Sequence, residues 1–303
     1  MGLLGKISRS IKNPKKAAQH TFTRVDVAAG KKLYGNTSGM MRNLDRAGKI
    51  NPLSPELKKT NPKAYDLIKN GFFKLENPIE KSVISSINEK YQKMIEDDNY
   101  SFGISGHEDK VYSRIVHDAA EKIPEIAQLI TDEVKTILSG YYKSHFTIEY
   151  MTIGRNYSIP DHLKQEEMFS NVWHCDFYHT SGIKFFVYLS DVTEADGPSQ
   201  LQSIDRTKEL IKMGFGNRKD YNLPLDVLED PSFVNKMTGS AGTAWFGDIT
   251  RCIHRAGIPE KDHIRDMVQI YVETSDIPLP DDWIKNVKPK PGVKHYIPKK
   301  VEN

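Results

Sequence analysis

GIKFFVYLS, residues 182–190, is rich in aromatic and β-branched side chains and predicts a β-strand. Earlier in the chain, residues 146–151 alternate apolar and polar side chains with a period of two, as a strand with one buried face does. Short segments of the same kind follow at 242–246, 250–254 and 267–273, separated by turns that contain glycine or proline. This run of strands predicts an antiparallel β-barrel or jelly roll.

The chain before residue 140 has the periodicity of helices. Apolar residues recur at helical spacing in 78–97 and again in 124–140. The second segment begins with Pro124, which the first turn of a helix tolerates, and Gly140 is expected to end it. Residues 202–240 interrupt the strands with a polar segment of some helical character. Helices followed by strands predict an α+β fold, a barrel with helices packed outside it.

Charge divides the chain into parts. Residues 1–63 contain fourteen lysines or arginines and three acidic residues, a net charge of +11, whereas the rest of the chain carries −8. The end of the sequence is rich in proline and lysine. We therefore expect a basic N-terminal arm at 1–63, a folded domain at 64–275 and a Pro/Lys-rich tail at 276–303.

The start of the arm is amphipathic, with Leu3, Leu4, Ile7 and Ile11 at helical spacing opposite basic residues. The favoured interpretation is a solvated arm that packs on its own domain. The alternative is weak, reversible contact of residues 1–30 with an anionic membrane surface. The sequence shows neither a signal-peptide pattern nor a long apolar run, and its two cysteines are typical of a reducing compartment. We expect a cytoplasmic protein, peripheral to the membrane if the arm binds lipid.

Trp173–Phe177, WHCDF, places a histidine and an aspartate two residues apart. On a strand, alternate side chains share a face, so His174 and Asp176 point the same way while Cys175 points away. Imidazole and carboxylate are two of the three ligands of a facial metal triad. In a chain with ten histidines the triplet arises easily by chance, so it needs further support.

Two later residues can complete such a site. His254 follows an apolar pair, Cys252-Ile253, and Arg265 begins the next predicted strand. If the two strands form an antiparallel hairpin, both side chains project into the same barrel. Arginine in an apolar strand is costly unless an anion meets it, and its guanidinium matches a carboxylate with two parallel hydrogen bonds. Taken singly, a satisfied core histidine and a surface salt bridge are the simpler interpretations. The ordered combination favours a metal site with a carboxylate beside it.

These residues stand in a sequence that resembles the phytanoyl-CoA dioxygenase-like family of iron(II)/2-oxoglutarate-dependent oxygenases, over roughly residues 71–273. The matching stretches are NGFFKLENPI at 70–79, WHCDF at 173–177, IKFFVYLSDVTEADGPSQL at 183–201 and GTAWFGDITRCIHRAGIPEKDHIRDMVQIYV at 242–272. The resemblance implies a double-stranded β-helix, which is a jelly-roll or cupin-like barrel, with flanking helices.

The resemblance also implies a catalytic site. The family's iron ligands match His174, Asp176 and His254, and the arginine that binds the far carboxylate of 2-oxoglutarate matches Arg265. The expected cofactors are Fe(II), 2-oxoglutarate and O2, and the expected reaction hydroxylates a C–H bond while 2-oxoglutarate is decarboxylated to succinate. Related halogenases lack the carboxylate at the position of Asp176, so its presence favours hydroxylation. The substrate is left open between a small molecule and a lipid-linked one.

Two other functions stay open at this point. A zinc-dependent hydrolase would use the same His/Asp/His site. A non-catalytic jelly-roll binding module would dock a partner through its basic arm, although the acidic body disfavours nucleic acid. Further residues are candidates for the mouth of the cavity, without a signal that selects among them: Arg155, Tyr157, Tyr178, His179 and Lys184.

Overall fold

The computed structural model describes residues 37–76, 78–176, 181–216 and 223–299, together with the single residues 25 and 218. Apart from Val25, residues 1–30 lie outside this description, so their contact with a membrane surface stays a prediction. No helix of the described part of the chain is long and apolar enough to cross a membrane.

The structure describes eleven strands, most of them in the second half of the chain. They are β1 (Phe72–Leu75), β2 (Ser101–His107), β3 (Lys110–Val116), β4 (His145–Tyr157), β5 (Ile183–Tyr188), β6 (Gln200–Leu201), β7 (Asn235–Lys236), β8 (Ala244–Gly247), β9 (His254–Arg255), β10 (Ile264–Ser275) and β11 (Lys288–Pro289). Eight of them form one large sheet in the order β1-β8-β5-β10-β4-β3-β2, with β11 added in parallel to β4. The order β7-β6-β9 forms a small second sheet.

Helices pack against the large sheet. They are α1 (Thr37–Gly48), α2 (Pro55–Thr60), α3 (Pro62–Asn70), α4 (Lys81–Gln92), α5 (Ala119–Lys122), α6 (Asp132–Tyr141), α7 (Ile204–Met213) and α8 (Leu225–Leu228), with short 3-10 turns at Pro124–Leu129, Asp161–Leu163 and Trp283–Lys285. Both sheets contribute residues to one cavity, as in a jelly roll. The predicted α+β barrel with flanking helices is therefore confirmed.

The two faces of the large sheet have different chemistry. On the central strand β10, Val268 and Ile270 point outward and pack with helix residues such as Ile87 of α4 in the main hydrophobic core. The alternate residues Met267 and Gln269 point inward and line the cavity. The helices therefore cover one face of the sheet with apolar contacts, and the other face is left for a site.

The helix predicted over residues 124–140 is divided in the structure. A 3-10 turn occupies Pro124–Leu129, and α6 begins only after Thr131, whose side-chain oxygen accepts the Val134 N–H at 3.3 Å as an N-cap. Gly140 does not end this helix, which continues to Tyr141. A β-carbon on Gly140 would lie 2.1 Å from the Asn61 side-chain nitrogen, so the glycine permits close packing against the start of α3.

The hairpin predicted between the strands of His254 and Arg265 is not formed. The strand of His254, β9, pairs with β6, whereas β10 pairs with β4 and β5. The connecting loop is instead held against another turn, because Gly257 N–H donates to the Pro198 carbonyl at 3.2 Å and Glu260 N–H donates to Ala195 at 2.8 Å. The loop therefore connects β9 of the small sheet to β10 of the large sheet.

Residues 37–63 pack on the rest of the domain. Ile50 belongs to the main core, and the Asn51 side chain donates to the carbonyls of Gly140 and Tyr142 at 2.9 and 3.0 Å. Arg46 forms an ion pair with the buried Glu273 at the end of β10. This portion of the predicted basic arm is therefore in contact with the folded body.

Gly71 provides a test of how the helical layer meets the loop before β9. It joins α3 to β1 with a φ of +85°, and a β-carbon there would lie 2.2 Å from Sγ of Cys252. We expect Gly71→Ala to lower the free energy of unfolding by about 1–3 kcal/mol, because both the left-handed backbone and the contact oppose a side chain. Denaturant-induced unfolding measures the change.

Gly48→Ala is the matched control. A β-carbon at Gly48, the last residue of α1, meets nothing within 4 Å, and its φ is not in the left-handed region. We expect its free energy of unfolding to stay within about 1 kcal/mol of the wild-type value. Equal effects of the two substitutions would contradict the close approach of Gly71 to Cys252.

Candidate metal centre

The candidate centre is built on a bridge between two segments that are distant in sequence. The backbone N–H of His174 donates to the carbonyl of His254 at 2.9 Å, and the N–H of His254 donates back to His174 at 2.8 Å. Directly opposed residues in such a pair project to the same side. The two imidazole rings therefore lie side by side, with centroids 4.2 Å apart.

Residues 173–176, the described part of WHCDF, do not form a strand, which corrects the premise that placed His174 and Asp176 together. His174 makes one isolated bridge, and Asp176 is held by a single backbone bond to the Ile249 carbonyl at 2.9 Å. The extended backbone still sends the two side chains the same way. Cys175 points away, as expected, into an apolar cluster with Trp173 and residues of α7.

The ligand atoms of three residues converge. One nitrogen or oxygen each of His174, Asp176 and His254 lies within 4.8 Å of the others, and no second group of three such residues occurs in the described part of the chain. The side chains of His174, Asp176 and His254 are 1%, 12% and 13% exposed. The structure therefore brings together the three residues predicted to hold a metal.

Hydrogen bonds fix which ring nitrogens face this point. His174 Nδ1 lies 2.8 Å from the Val172 carbonyl, and His254 Nδ1 lies 3.1 Å from the Cys252 carbonyl. A carbonyl can only accept, so each Nδ1 carries a proton, and in the neutral form of either ring the lone pair lies on Nε2. The Nε2 atoms lie 3.2 and 4.0 Å from Oδ1 of Asp176.

These lone pairs repel one another unless a cation lies between them. His174 Nε2 is buried and has no hydrogen-bond partner among the described residues. Burial, with the neighbouring His174, lowers the pKa of His254 to about 3, so its imidazole is neutral near pH 7. Two imidazole nitrogens and a carboxylate are the donor set of a divalent first-row metal. The residues present fit such an ion.

Lys184 holds the other oxygen of the aspartate. Its ammonium on β5 donates to Oδ2 of Asp176 at 2.7 Å, which leaves Oδ1 facing the imidazoles. Burial alone would raise the pKa of Asp176, but Lys184 and the two histidines hold it well below its usual range. The carboxylate is thus ionised and oriented. The sequence identified Lys184 only as a candidate for the cavity mouth, and no sequence signal indicated its contact with Asp176.

The turn before His254 is organised by Asp248, which the sequence analysis did not identify. Its side chain accepts from Tyr141 at 3.1 Å and Thr250 at 3.0 Å, and it also pairs with Arg251. Its backbone N–H donates to the Gly71 carbonyl at 2.7 Å. These contacts tie the metal-side turn to the helical layer. The Gly247-Asp248 pair was visible in the sequence only as a turn signal.

Arg265 lies on the inward face of β10, two residues from Met267. It is fully buried, and one of its nitrogens, NH1, donates to the Gly257 carbonyl at 3.1 Å. Its Nε and NH2 have no hydrogen-bond partner among the described residues. Burial lowers the pKa of Arg265, with Tyr188 the neighbour that opposes this shift. A buried guanidinium without an acidic partner is costly, so the position fits an anion brought from solution.

The cavity beside the triad lies between the two sheets. It is lined on the large-sheet side by Thr152, Asn156, Lys184, Phe186, Trp245, Met267 and Gln269, and on the small-sheet side by Gln200, Leu201, His254 and Arg255. Arg265 is not part of the lining, although Met267 on the same strand face is. The free volume of the cavity is about 160 Å³.

Two other candidates for the cavity mouth point elsewhere. Arg155 bonds both carboxylate oxygens of the buried Asp266 at 2.8 and 2.7 Å on the helix side of the sheet. Tyr157 donates to Glu96 at 2.8 Å on the same side. Strand parity places both residues on the face opposite the cavity. Tyr178 and His179 lie outside the described residues.

No protein-family model matches the chain, and no curated protein sequence matches it. Solved structures share its fold. It is similar to EctD from S. alaskensis, solved with 2-oxoglutarate and 5-hydroxyectoine, with a TM-score of 0.54 and 11% identity over 84% of this chain and 91% of that one. It is also similar to the epimerase SnoN, solved with Fe3+, alpha ketoglutarate and nogalamycin RO, with a TM-score of 0.53 and 13% identity over 82% and 96%. The chain therefore has the jelly-roll fold of these enzymes.

A metal-dependent gain in stability tests the convergence of the ligand atoms. We expect Fe(II), Co(II) or Ni(II) to raise the melting temperature, by the equivalent of about 2.7 kcal/mol at one hundred times the dissociation constant. His174→Ala should remove the gain. His145→Ala, which alters an exposed histidine at the start of β4, should retain it. Loss of the gain in both variants, or in neither, would contradict the proposed ligand set.

Proposed function

We propose that the chain is an iron(II)- and 2-oxoglutarate-dependent oxygenase that hydroxylates a C–H bond of an organic substrate. The observation that carries this proposal is the convergence of two imidazole lone pairs and one carboxylate oxygen. The motifs shared with the phytanoyl-CoA dioxygenase-like family support membership of that branch. The jelly-roll fold, found in SnoN solved with Fe3+ and alpha ketoglutarate and in EctD solved with 2-oxoglutarate, is consistent with it.

Three residues would hold the iron. His174 and His254 would bind through Nε2 and Asp176 through Oδ1, because the opposite atoms of these side chains are already bonded to protein groups. Three ligands on one face leave open positions on an octahedral metal for 2-oxoglutarate and O2. With Oδ2 held by Lys184, the carboxylate is limited to one bond to the metal.

Arg265 would bind the far carboxylate of 2-oxoglutarate. Its Nε and NH2, which lack partners, are neighbouring donors on one edge of the guanidinium and match the two oxygens of a carboxylate. Tyr188 lies beside it. Arg265 is fully buried and lies outside the cavity lining, two residues from Met267, which is part of that lining.

The bound iron, 2-oxoglutarate and O2 would supply the oxidising chemistry, with succinate and carbon dioxide as by-products. The protein would position the substrate and exclude water. The neighbours with this fold include SnoN, described as an epimerase, and EctD, solved with a hydroxylated compound. We favour hydroxylation because Asp176 keeps the carboxylate that the related halogenases lack.

A zinc hydrolase is the second candidate, because zinc accepts the same three ligands. It gives no role to the buried, unpaired guanidinium of Arg265. An oxygenase uses that residue for its co-substrate. Dependence of activity on both iron and 2-oxoglutarate would distinguish the two functions.

The iron chelate of 2-oxoglutarate provides the direct test. Under anaerobic conditions we expect the full chain with Fe(II) and 2-oxoglutarate to give the weak visible charge-transfer band of that chelate. His174→Ala and His254→Ala should abolish the band, because each removes an iron ligand. A band that survives both substitutions, or its absence from the wild-type protein, would refute the proposed site.

Arg265→Met tests the co-substrate contact. We expect the affinity for 2-oxoglutarate to fall by about 2–5 kcal/mol, on the order of thirty-fold to several-thousand-fold, while iron binding changes little. Without 2-oxoglutarate the variant should be no less stable than wild type, since the substitution removes an unpaired buried charge. Titration of the charge-transfer band and thermal unfolding measure the two effects.

Arg155→Met is the matched control on the adjacent strand. Arg155 is paired with Asp266, so its removal leaves a buried carboxylate and should destabilise the fold by about 3–5 kcal/mol. The folded fraction should still bind 2-oxoglutarate with wild-type affinity. If Arg265→Met destabilised the fold as Arg155→Met does and left the affinity for 2-oxoglutarate unchanged, Arg265 would be a structural residue.

A further inference from the structure

The chain after β10 is anchored on the large sheet rather than detached from it. Trp283 is buried in the main core, and β11 pairs in parallel with β4. Beyond β11, His295 stacks on Phe102 with ring centroids 3.7 Å apart, and Tyr296 N–H donates to the Gly103 carbonyl at 2.7 Å. The residues between these two anchors are therefore held at a defined place.

Lys290 lies between these anchors and lines the metal-side cavity together with Val293. The residue as a whole is half-buried. Burial, reinforced by the neighbouring Lys184 ammonium and partly opposed by the Asp176 carboxylate, lowers the pKa of Lys290 to about 8, so the charged form predominates near pH 7. Within the part of the chain that the structure describes, the Lys290 ammonium has no hydrogen bond or ion pair.

The other cations of the cavity lining have acidic partners. Arg114 pairs with Asp98, and Lys184 pairs with Asp176 at 2.7 Å. Arg255 pairs with Glu229 at 2.6 Å. Asp176 is the acidic residue of the lining, and its two oxygens face Lys184 and the histidines. Among these lysines and arginines of the described lining, Lys290 is thus the one whose charged group forms no ion pair with an acidic side chain, so it can bind an anionic ligand.

Lys290 also stands at the junction of two spaces. A second groove of about 690 Å³ shares Ile115, Thr152, Lys290 and Val293 with the metal-side cavity. The metal-side cavity has a free volume of about 160 Å³. A molecule that extends from the groove toward the candidate metal ligands would pass Lys290.

We propose that the substrate is an organic anion, a carboxylate or a phosphate ester, whose acid group is bound by Lys290 where the groove meets the metal-side cavity. The inference rests on the proposed function and assigns a substrate class to the same site. A lysine ammonium is a compact point charge that binds either type of anion. Lys290 would fix one end of the substrate, and the bond to be oxidised would face His174 and His254.

The test compares acids with neutral molecules of the same shape. The full chain, held anaerobically with Fe(II) and saturating 2-oxoglutarate, is titrated with benzoate against benzamide and with phenyl phosphate against phenol. Binding is followed by the shift of the charge-transfer band and by the melting temperature. We expect each acid to bind at least ten-fold more tightly than its neutral partner, since one charge-assisted hydrogen bond contributes on the order of ten-fold to a hundred-fold.

Variants assign this preference to one residue. Lys290→Gln should remove the preference for acids, and Lys290→Arg should largely retain it. Lys288→Gln makes the same charge change two residues earlier, at an exposed lysine that lines the groove but not the cavity, and should alter acid binding by less than two-fold. Equal binding of acids and neutral partners, no acid binding at all, or acid binding unchanged in Lys290→Gln would overturn the inference.

The two proposals fail in different ways. Lys290→Gln should keep the charge-transfer band of the iron–2-oxoglutarate chelate, because Lys290 binds neither the metal nor the co-substrate. A wild-type protein that forms the band but shows no preference for acids would refute the anionic substrate alone. Loss of the band on adding the acids would show that they displace 2-oxoglutarate, which also overturns the inference. Absence of the band from wild type would refute the proposed function itself.

Discussion

The site depends on two backbone hydrogen bonds between His174 and His254. They form an isolated bridge between two segments that are distant in sequence. The bridge is short and cannot hold itself in place. On one side α7 supports it, since Thr207 Oγ1 accepts the Ile253 N–H at 2.9 Å. On the other side the Asp248 turn ties it to the helical layer. The candidate metal ligands are therefore positioned by short segments that the surrounding structure holds in place.

The two buried arginines on the neighbouring strands β4 and β10 differ in whether the protein supplies partners for the guanidinium. Arg155 faces the helices, where Asp266, Glu96 and the Gln92 side chain satisfy its guanidinium. Arg265 faces inward and keeps two donors without partners. A fold gains nothing from a buried cation left in this state. The difference between the two environments is what makes Arg265 a candidate for ligand binding.

Much of the fold follows from the local pattern of the chain. Apolar periodicity predicts α4 and the strands β4, β5, β8 and β10, because each of them buries at least one whole face. The hairpin of His254 and Arg265 could not be predicted correctly, since its failure depends on contacts of the Gly257 loop with a distant turn. Sequence spacing alone carries no information about such contacts.

The same distinction applies to the site. His174, Asp176, His254 and Arg265 could be named because their residue types and order resemble a known motif. Lys184 and Lys290 could not be assigned a role, because a lysine is expected at the solvent-exposed surface unless the structure shows that it is buried. Nothing in the Pro/Lys-rich tail distinguishes Lys290 from the lysines around it. The pairing of β11 with β4 and the contacts of His295 and Tyr296 with β2 together place it at the cavity.

That pairing has a consequence for how such a protein changes over evolutionary time. The three candidate metal ligands lie before residue 255, whereas residues 288–293 form part of the wall of the groove that meets the metal-side cavity and supply none of these ligands. Under the proposed function, substitutions in this wall would alter which substrates enter without changing the residues that hold the metal. Selectivity and reactivity would then be encoded in separate parts of one chain, and each could diverge on its own.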